Sequence, residues 1–317
     1  MIAVQDILFA RLQVPDLGAA ADFMREYGLL PSAHTDGAIY LRGYGSAHHL
    51  YVAEKGAEAR CVGFALAAKS EEDLKTLSAE TGVPVELINE PGGGSRVTLT
   101  DPTGFRVEVL HGVETVQPIA TRRTQELNQG GRHLRLNETV RPDRGPAHIR
   151  RLGHVALLVN DLVASIDFYT RLLGMKIADT YYIGDESNRM AAFLRCGLGE
   201  EFTDHHTIAM LQLPQTPPRP TFDHISFEVL DLEDMMVGHD HMRSLGKYKH
   251  SWGIGRHVDG SNLFDYWRDP FGVKVEHYSD VDIINDHYVS SHNRFDPADP
   301  ARQLSVWGPP IGTDFLS

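Results

Sequence analysis

The sequence contains little cysteine and no long apolar run. Its 317 residues include 2 cysteines, Cys61 and Cys196, which are too far apart along the chain to form a metal-type pair. No stretch of about 18 consecutive apolar residues occurs, which argues against a membrane-spanning helix. The opening segment MIAVQDILFARLQVPDLG lacks the basic start and the long apolar stretch of a secretory signal. These absences together predict a protein of a reducing compartment, the cytoplasm.

Positive charge is also scarce. The chain has 30 Lys and Arg against 43 Asp and Glu, which gives a net charge of -13. An acidic protein is repelled by nucleic acids and by anionic membrane surfaces, so neither is expected as a partner. By contrast, 17 histidines are present, and 42% of the residues are hydrophobic. The composition is that of a globular protein, and the length predicts two domains of about 150 residues each.

The chain contains three segments that recur in the same order. The matched pairs are LQVPDLGAAADFMREYGL (12–29) with LLVNDLVASIDFYTRLLGM (157–175), CVGFAL (61–66) with HISFEV (224–229), and DPTGFRVEV (101–109) with DPFGVKVEH (269–277). The distance between partners grows along the chain, so the second copy carries insertions. Three ordered matches predict a tandem repeat.

Each copy has the same predicted elements. A strand is followed by a helix, in which Leu162, Ile166 and Tyr169 form one apolar stripe at helical spacing. Gly28 and Gly174 stand where a glycine ends a helix. Further strands follow, and an Asp-Pro-x-Gly turn joins the last two. The pattern predicts an α+β fold in which each half consists of two βαβββ units.

The repeat also predicts domain limits. Residues 113–148 are polar, rich in arginine and poorly periodic, which indicates a connector. It separates an N-terminal domain (1–112) from a C-terminal domain (149–284). Residues 285–317 are rich in proline and aperiodic, and we expect them to form a tail or a lid.

Three potential metal ligands lie in three predicted strands of the second half. His154 precedes an apolar alternation in GHVALLV, His224 does so in HISFEV, and Glu276 ends DPFGVKVE. In the strand 221–229, His224 falls on the face opposite Ile225 and Phe227. Two imidazoles and one carboxylate that leave other coordination positions open suit a non-haem Fe(II) site for oxygen chemistry.

The first half provides an internal control for this metal site. By the same alignment, Phe9 corresponds to His154 and Cys61 corresponds to His224, whereas Glu108 matches Glu276. One ligand of three cannot hold the metal in the same way. The histidines are therefore not required by the folding unit, and we expect a metal in the second half only.

Five segments of the second half carry a family signature: GHVALLVNDLVASIDFYTRLLGM, HHTIAML, FDHISFEV, GIGRHVDGSN and YWRDPFGVKVEHYSD. The run Tyr-x-x-Asp-Pro-x-Gly-x-x-x-Glu-x-Tyr extends from Tyr266 to Tyr278. In these segments the chain resembles the type I extradiol ring-cleavage dioxygenases of the vicinal oxygen chelate superfamily. The resemblance implies two tandem domains, each of two βαβββ modules that form a funnel-like mixed β-barrel, with a metal-free N-terminal domain.

The resemblance also implies catalytic residues. Matching HTIAM to the family's His-x-x-Ala pattern selects His206 as the acid–base residue, and the adjacent His205 is the alternative. His257, in the Gly-Arg-His segment, and Tyr266 correspond to residues that form hydrogen bonds with the substrate oxygens. We expect Arg256 to shape its loop and Asp269 to form the turn.

Substrate contacts are expected from Trp252 and Phe193. Some relatives bind a carboxylated ring substituent through an arginine near the position of Trp252, so an apolar or neutral substituent is expected here. Phe193 is equally suited to a core position. Arg294 of the tail could reach over the site, so a charged substrate is an alternative.

The implied reaction is the extradiol cleavage of a catechol-type ring with both atoms of O2, which gives a 2-hydroxymuconic semialdehyde-type product. Fe(II) is the expected metal, with Mn(II) as the alternative, and the family favours a homo-oligomer, specifically a tetramer. Two other functions remain open at this stage. A glyoxalase-like lyase or isomerase would draw ligands from both repeats and use more carboxylate, and a binding protein of the same fold would lack the complete ligand set.

Overall fold

Two large sheets, one from each half of the chain, dominate the computed structural model, which describes residues 2–123, 126–312 and 315. The first sheet has eight strands: β1 (Val4–Val14), β2 (Leu30–His34), β3 (Ala38–Arg42), β4 (Tyr51–Lys55), β5 (Arg60–Ala68), β6 (Glu86–Leu87), β7 (Ser95–Thr100) and β8 (Arg106–His111). The second sheet has ten strands: β9 (Arg151–Leu158), β10 (Lys176–Tyr182), β11 (Arg189–Arg195), β13 (Ile208–Leu211), β14 (Thr221–Glu228), β15 (Lys249–His257), β16 (Leu263–Arg268), β17 (Lys274–Ser279), β19 (Ser291–Arg294) and β20 (Ser305–Trp307). A small third sheet pairs β12 (Thr203–Asp204) with β18 (Ile283–Ile284).

Helices are few and short. They are α1 (Leu17–Tyr27), α2 (Glu71–Thr81), α3 (Leu162–Asp167), which continues into a π-helical turn (Phe168–Leu172), α4 (Leu232–Leu245) and α5 (Pro300–Leu304). The side chains of Asp16 and Asp161, at the same position of the two repeats, each accept a hydrogen bond from the backbone N–H three residues later. Among the described residues, no helix has both the length and the apolar character needed to span a membrane.

The two sheets share one pairing plan. The order β2-β3-β4-β1-β5-β8-β7-β6 of the first sheet corresponds to β10-β11-β13-β9-β14-β17-β16-β15 of the second. In each sheet two antiparallel strands, β1 with β5 and β9 with β14, form the centre, and each of them also pairs with a parallel strand. The predicted α+β class and the two βαβββ units of each half are confirmed. The strand order is linear in both sheets, so each funnel is an open sheet and not a closed barrel.

The Asp-Pro-x-Gly turns owe their shape to their aspartates. Asp269 Oδ1 accepts hydrogen bonds from the backbone N–H groups of Phe271 and Val273 at 2.9 and 2.8 Å. Asp101 Oδ1 makes the equivalent bond to Phe105 N at 2.8 Å in the first half. Asp269 is therefore a turn former, as expected, because a carboxylate that closes the loop satisfies N–H groups that no strand partner reaches.

The two halves pack through one continuous hydrophobic cluster. Polar contacts join them as well: Tyr169 Oη donates to Asp101 Oδ2 at 2.8 Å, and the backbone N–H of Phe222 donates to Cys61 Sγ at 3.2 Å. Cys61 thus contacts the central strand of the other half, and neither cysteine forms a disulfide.

Residues 285–312 contain more regular structure than their composition suggests. Strand β19 pairs with β10 at one edge of the second sheet, and β20 pairs with β15 at the other edge. The chain between them, with α5, therefore passes from one open edge of the sheet to the other. The connector 113–148, by contrast, contains only isolated bridges within its described part.

Candidate metal centre and cavity

Three neighbouring strands of the second sheet bring the predicted ligands together. His154 on β9 pairs with Ser226 on β14, and Ser226 pairs with Glu276 on β17. His224 precedes Ser226 by two residues and lies on the same face, because side chains alternate along a strand. The sequence predicts that each ligand lies on a separate strand, and the strand pairing shows that the three strands are neighbours.

The spacing of the ligand atoms fits one divalent cation. His154 Nε2 lies 3.2 Å from Glu276 Oε2 and 3.4 Å from His224 Nε2, and His224 Nε2 lies 3.6 Å from Glu276 Oε2. Ligands at right angles around a metal, with bonds of about 2.0–2.2 Å, are roughly 3 Å apart. Two imidazoles and a carboxylate on one side of a cation form the facial donor set of non-haem Fe(II) sites.

A β-bulge holds the second histidine in place. The pairing of β14 with β9 shifts between Phe222 and His224, so Asp223 is an extra residue in the strand. The bulge lets Asp223 reach its own neighbour, and Asp223 Oδ2 lies 2.7 Å from His224 Nδ1. Lys274 Nζ donates to the other oxygen at 2.9 Å. Asp223 therefore fixes Nδ1 as the protonated nitrogen and leaves Nε2 free for a metal.

The protonation of the ligands also suits a cation. Burial lowers the pKa of His154, which keeps its imidazole neutral near pH 7. Burial alone would raise the pKa of Glu276, but its contacts with His154 and His257 hold it well below the ordinary value. Asn262 Nδ2 also donates to Glu276 Oε1 at 3.4 Å, and Ser226 Oγ donates to Oε2. The site combines the neutral imidazole of His154 with the ionised carboxylate of Glu276.

The ligands open into a cavity of about 220 Å³. His154, His224 and Asp223 form its polar floor. Its apolar wall includes Met190, Ala191, Phe193, Ala209, Leu211, Leu213, Trp252, Phe295, Leu304 and Phe315. No lysine or arginine occurs among its described lining residues, and Asp259 is a further acid in the wall.

The two adjacent histidines of HHTIAML have different surroundings. His206 lines the cavity, and its ring centroid lies 4.3 Å from that of His154. His205 is not among the lining residues; it is 1% exposed and lies behind His206. The geometry therefore favours His206 over His205 as the residue that faces a bound ring. Burial, together with neighbouring histidines, lowers the pKa of His206 well below its usual value, so it is a neutral base.

His257 and Tyr266 form a pair on the opposite wall. His257 Nδ1 donates to the backbone carbonyl of Leu304 at 2.7 Å, and His257 Nε2 lies 2.9 Å from Tyr266 Oη. Because a carbonyl only accepts, a neutral His257 has a free lone pair on Nε2 and accepts from the tyrosine. His257 can donate to a substrate oxygen only after it gains a proton. Burial and the Glu276 carboxylate hold the pKa of Tyr266 well above 10, so it stays a neutral phenol.

The predicted substrate-contact residues both line the cavity. The Trp252 ring is 2% exposed, and its Nε1 donates to the Pro309 carbonyl at 2.9 Å. The Phe193 ring lies 5.1 Å from that of His206, so it belongs to the wall and not to the core. Arg294 is exposed and is not among the lining residues. Arg256 forms an ion pair with Asp280 and donates to the Ser261 carbonyl, a loop-shaping role.

Asp223, Ser226 and Asn262 are site residues that the sequence interpretation missed. The Asp-His dipeptide of FDHISF is a usable signal for Asp223, because a carboxylate commonly orients a metal-binding imidazole. Ser226 carried no signal beyond its place two residues after His224 in the same strand. Asn262 ends the quoted segment GIGRHVDGSN, but nothing in that segment singled it out.

The corresponding place in the first half is filled by an ion network. Glu108, which is 1% exposed, contacts Arg11 at 3.3 Å, Arg96 at 3.1 Å and also Arg106. The remaining cavity there measures about 10 Å³. Glu108 thus matches Glu276 in position but neutralises arginines.

The strand register corrects one detail of the repeat alignment. Ala65 pairs with Glu108 as Ser226 pairs with Glu276, and Gly63 pairs with Arg106 as His224 pairs with Lys274. The counterpart of His224 is therefore Gly63, and the assignment to Cys61 was wrong. The ungapped match set Phe64 against Phe227, whereas the register places Phe64 beside Val107 as Ile225 lies beside Val275.

A second group of two histidines and one acid lies outside the cavity. His239 on α4 and His250 on β15 approach Asp265 on β16 at 3.1 and 2.8 Å, and Trp267 Nε1 donates to the same carboxylate at 2.8 Å. These donors satisfy both oxygens of a fully buried carboxylate. The group therefore ties helix α4 to the sheet.

Comparisons with known proteins agree with this geometry. Residues 151–277 match the family model described as the Glyoxalase/Bleomycin resistance protein/Dioxygenase superfamily. The chain is 27% identical to Metapyrocatechase 2 of Cupriavidus necator over 319 residues, with 99% of this chain and 92% of that protein covered. It is 27% identical over 237 residues to the 3-methylcatechol 2,3-dioxygenase of Pseudomonas putida, with 74% and 68% covered.

A solved structure extends the likeness to the whole fold. The Mn(II)-bound glyoxalase from Novosphingobium aromaticivorans matches with a TM-score of 0.78 at 24% identity, and covers 100% of this chain and 95% of that one. The fold of the whole chain, and the sequence of residues 151–277, are thus similar to those of the vicinal oxygen chelate superfamily. Within it, the predicted resemblance to the extradiol dioxygenases, which are oxidoreductases, is confirmed by the relatives.

Proposed function

We propose that this protein cleaves a catecholic ring beside its two hydroxyl groups and inserts both atoms of O2. One observation carries the proposal: His154, His224 and Glu276 converge on one point, and the two histidines lie in the floor of a largely apolar cavity whose lining also includes His206, His257 and Tyr266. An extradiol enzyme needs a metal site with open positions, a base for the ring hydroxyl and donors for the ring oxygens. The names of two relatives, a metapyrocatechase and a 3-methylcatechol 2,3-dioxygenase, support it.

His154, His224 and Glu276 would hold the metal, for which Fe(II) is proposed and Mn(II) is the alternative. When bound, the cation lowers the pKa of a ring hydroxyl and brings the ring and O2 together. The donor set supports Fe(II), because two imidazoles and one carboxylate are typical of Fe(II) oxygenases. The Mn(II) of the matching glyoxalase structure supports the alternative.

His206, Tyr266 and His257 would handle protons and ring oxygens. His206 is neutral and faces the cavity, so it can accept the proton of a catechol hydroxyl and return it later. Tyr266 can turn its phenol O–H from His257 to a substrate oxygen. His257 Nε2, freed from the tyrosine, can then accept the proton of the second ring hydroxyl as that O–H bond breaks, and it becomes a second donor beside Glu276.

The ring substituent is proposed to be apolar or neutral. Trp252 and Phe193 would contact the ring, and the described lining has acids but no lysine or arginine. A carboxylated substituent would therefore enter without a charge partner and beside Asp259, which is unfavourable in a desolvated cavity. The methylcatechol in the name of one relative agrees with this choice.

The experiment is an assay of the anaerobically iron-loaded protein with catechol, 3-methylcatechol and 3,4-dihydroxyphenylacetate. The expected result is a yellow ring-opened product that contains two labelled atoms from ¹⁸O2, with the lowest KM for the methylated ring. Tight catechol binding without ring opening would contradict the proposal and favour a binding protein. A preference for the carboxylated ring would contradict the proposal that the ring substituent is apolar or neutral.

A glyoxalase-like lyase or isomerase is the second candidate, because a solved glyoxalase shares the fold. Such sites usually take ligands from both repeats. Here the matching place in the first half holds the Glu108–arginine network and almost no cavity. Turnover of a hemithioacetal in the absence of O2 would favour this candidate.

The remaining family features belong to the same proposal. Residues 1–112 form a metal-free domain, and residues 149–284 form the catalytic domain. Residues 113–148 connect the two domains, and residues 285–317 form a lid. The subunits assemble into a tetramer. The resemblance supports the assembly, and light scattering tests it. Phe295, Leu304 and Phe315 of the tail support the lid, since all three line the cavity.

A further inference from the structure

Behind His206 lies a chain of hydrogen bonds that leads away from the cavity. His206 Nδ1 is 3.1 Å from His205 Nδ1, and His205 Nε2 is 2.7 Å from Asp179 Oδ2. His205 is 1% exposed and Asp179 is 2% exposed. The three side chains come from β10 and from the loop before β13, so the fold builds this arrangement from separate elements.

Asp179 is held as an ionised acceptor. Ser291 N donates to Asp179 Oδ1 at 2.6 Å, and Tyr288 Oη donates to Oδ2 at 2.9 Å. Burial alone would raise the pKa of Asp179, but the bonds from His205, Ser291 and Tyr288 lower it below the ordinary value. A carboxylate in this state can only accept hydrogen bonds.

The direction of every bond in the chain follows from this acceptor. His205 Nε2 must carry the proton that is shared with Asp179. A neutral His205 then has its lone pair on Nδ1, so His206 Nδ1 must be the donor in the contact between the histidines. His206 consequently presents an unprotonated Nε2, which is the nitrogen left for the cavity.

We propose that Asp179 and His205 are positioning residues that fix the tautomer of His206, so that Nε2 faces the ring as a base. The proposal rests on the proposed function and deepens it by assigning two residues outside the cavity. In the step concerned, the catechol O–H bond breaks and a bond forms from that proton to His206 Nε2. The positive charge on His206 is then stabilised by Asp179 through His205, as a buried carboxylate stabilises the imidazolium of a Ser-His-Asp triad.

The test begins with the full-length protein and needs no turnover. Ring ¹⁵N spectra of histidine-labelled, zinc-loaded protein report which nitrogen of each neutral imidazole is protonated, and a His206→Phe sample identifies the signals. The expected result is a protonated Nδ1 and an unprotonated Nε2 for His206. The opposite tautomer in the wild type would overturn the proposal, whether or not the protein proves to cleave catechols.

The second arm separates catalysis from binding. Asp179→Asn offers His205 an amide donor and so permits the reversed tautomer. We expect kcat to fall by about 10²–10⁴-fold, the range for loss of a positioned proton-transfer group. Anaerobic catechol affinity and iron content should stay within about threefold of wild type. An unchanged kcat, or an equal loss of affinity and kcat, would contradict the positioning role.

Two control variants test whether the loss of kcat in Asp179→Asn reflects only a disturbed structure. Asp286→Asn removes a neighbouring ion pair with Arg195, 2.6 Å long, without touching the hydrogen-bond chain, and should leave kcat unchanged. Tyr288→Phe removes one donor to Asp179 but leaves the carboxylate, so the tautomer should persist. A loss in the Asp286 variant as large as that in Asp179→Asn would overturn the assignment. If Asp179→Asn does not fold, the wild-type spectrum still decides the tautomer.

Discussion

The backbone carbonyl of Leu304 accepts a hydrogen bond from His257 Nδ1 at 2.7 Å, which couples the C-terminal segment to the cavity wall. This bond sets which nitrogen of His257 faces Tyr266. The segment also supplies Phe295 and Phe315 to the cavity lining. The C-terminal segment therefore shapes the substrate site and sets the tautomer of His257.

The lid proposal predicts a change in KM when an aromatic of the tail is shortened. Phe295→Ala should raise KM for a methylated catechol about tenfold or more, since a buried aromatic contact is worth roughly 1.5–3 kcal/mol. Iron content should be unaffected, because the ligands lie on other strands. Val306→Ala, at a residue of the same segment that is 65% exposed, is the matched control. Equal KM values for both variants would show that the tail does not close the site.

The two matched glutamates predict opposite phenotypes. Glu276→Gln, like His154→Ala and His224→Ala, should remove most of the bound metal and abolish ring cleavage. Glu108→Gln should leave metal content unchanged but lower the free energy of unfolding by about 1–3 kcal/mol, because it removes the buried charge shared by Arg11, Arg96 and Arg106, while Arg11 keeps its ion pairs with Glu54 and Glu90. Metal analysis and urea unfolding measure the two effects. Full iron content in a variant that lacks both histidines would disprove the metal centre.

Asp223 is predicted to tune the metal affinity without being a ligand. Asp223→Asn removes the negative charge behind His224 and leaves Lys274 with the Phe315 carbonyl but without its ion pair to Asp223. Affinity for a divalent metal should fall about 10–100-fold, as for other residues that orient a metal-binding histidine. Competition with a chelator measures this change. The outer pair Arg256–Asp280 is the comparison, since Asp280→Asn should leave the affinity unaltered.

Acid should weaken the link between α4 and the sheet. Burial alone would raise the pKa of Asp265, but hydrogen bonds from His239 and His250 lower it from 3.8 to about 2. A lowered carboxyl pKa stabilises the fold above the unfolded-state value and loses that contribution as pH falls from about 4 toward 2. Urea unfolding between pH 5 and pH 2.5 should therefore show a steeper decline for the wild type than for Asp265→Asn. Parallel pH profiles would contradict this role.

Local patterns in the sequence were sufficient to predict the repeat, its α+β class and the three ligand candidates. Each depends on strand alternation or on a short motif, and the register of β9, β14 and β17 then makes the ligands neighbours. Cys61 was assigned in place of Gly63 because the comparison of short segments matched Phe64 to Phe227, two residues away from the structural register. Residue type alone does not show which strand partner lies beside a residue.

Other features depend on contacts between distant parts of the chain. Asp179 has no motif, and its role follows only from its contact with His205. The edge strands β19 and β20 have only four and three residues, so their pairing with β10 and β15 arises from the open edges of the sheet. Periodicity within a segment cannot indicate which distant edge will accept it.

The backbone packing at Gly63 limits what engineering can achieve in the first half. A Cβ atom there would lie 1.8 Å from the carbonyl oxygen of Arg106, so no side chain can be accommodated without moving strand β8. Introducing histidines at positions 9 and 63 would therefore not recreate the metal centre beside Glu108. A two-metal version of this protein would have to begin with a redesigned backbone, because the asymmetry between the halves is built into the main chain as well as into the choice of side chains.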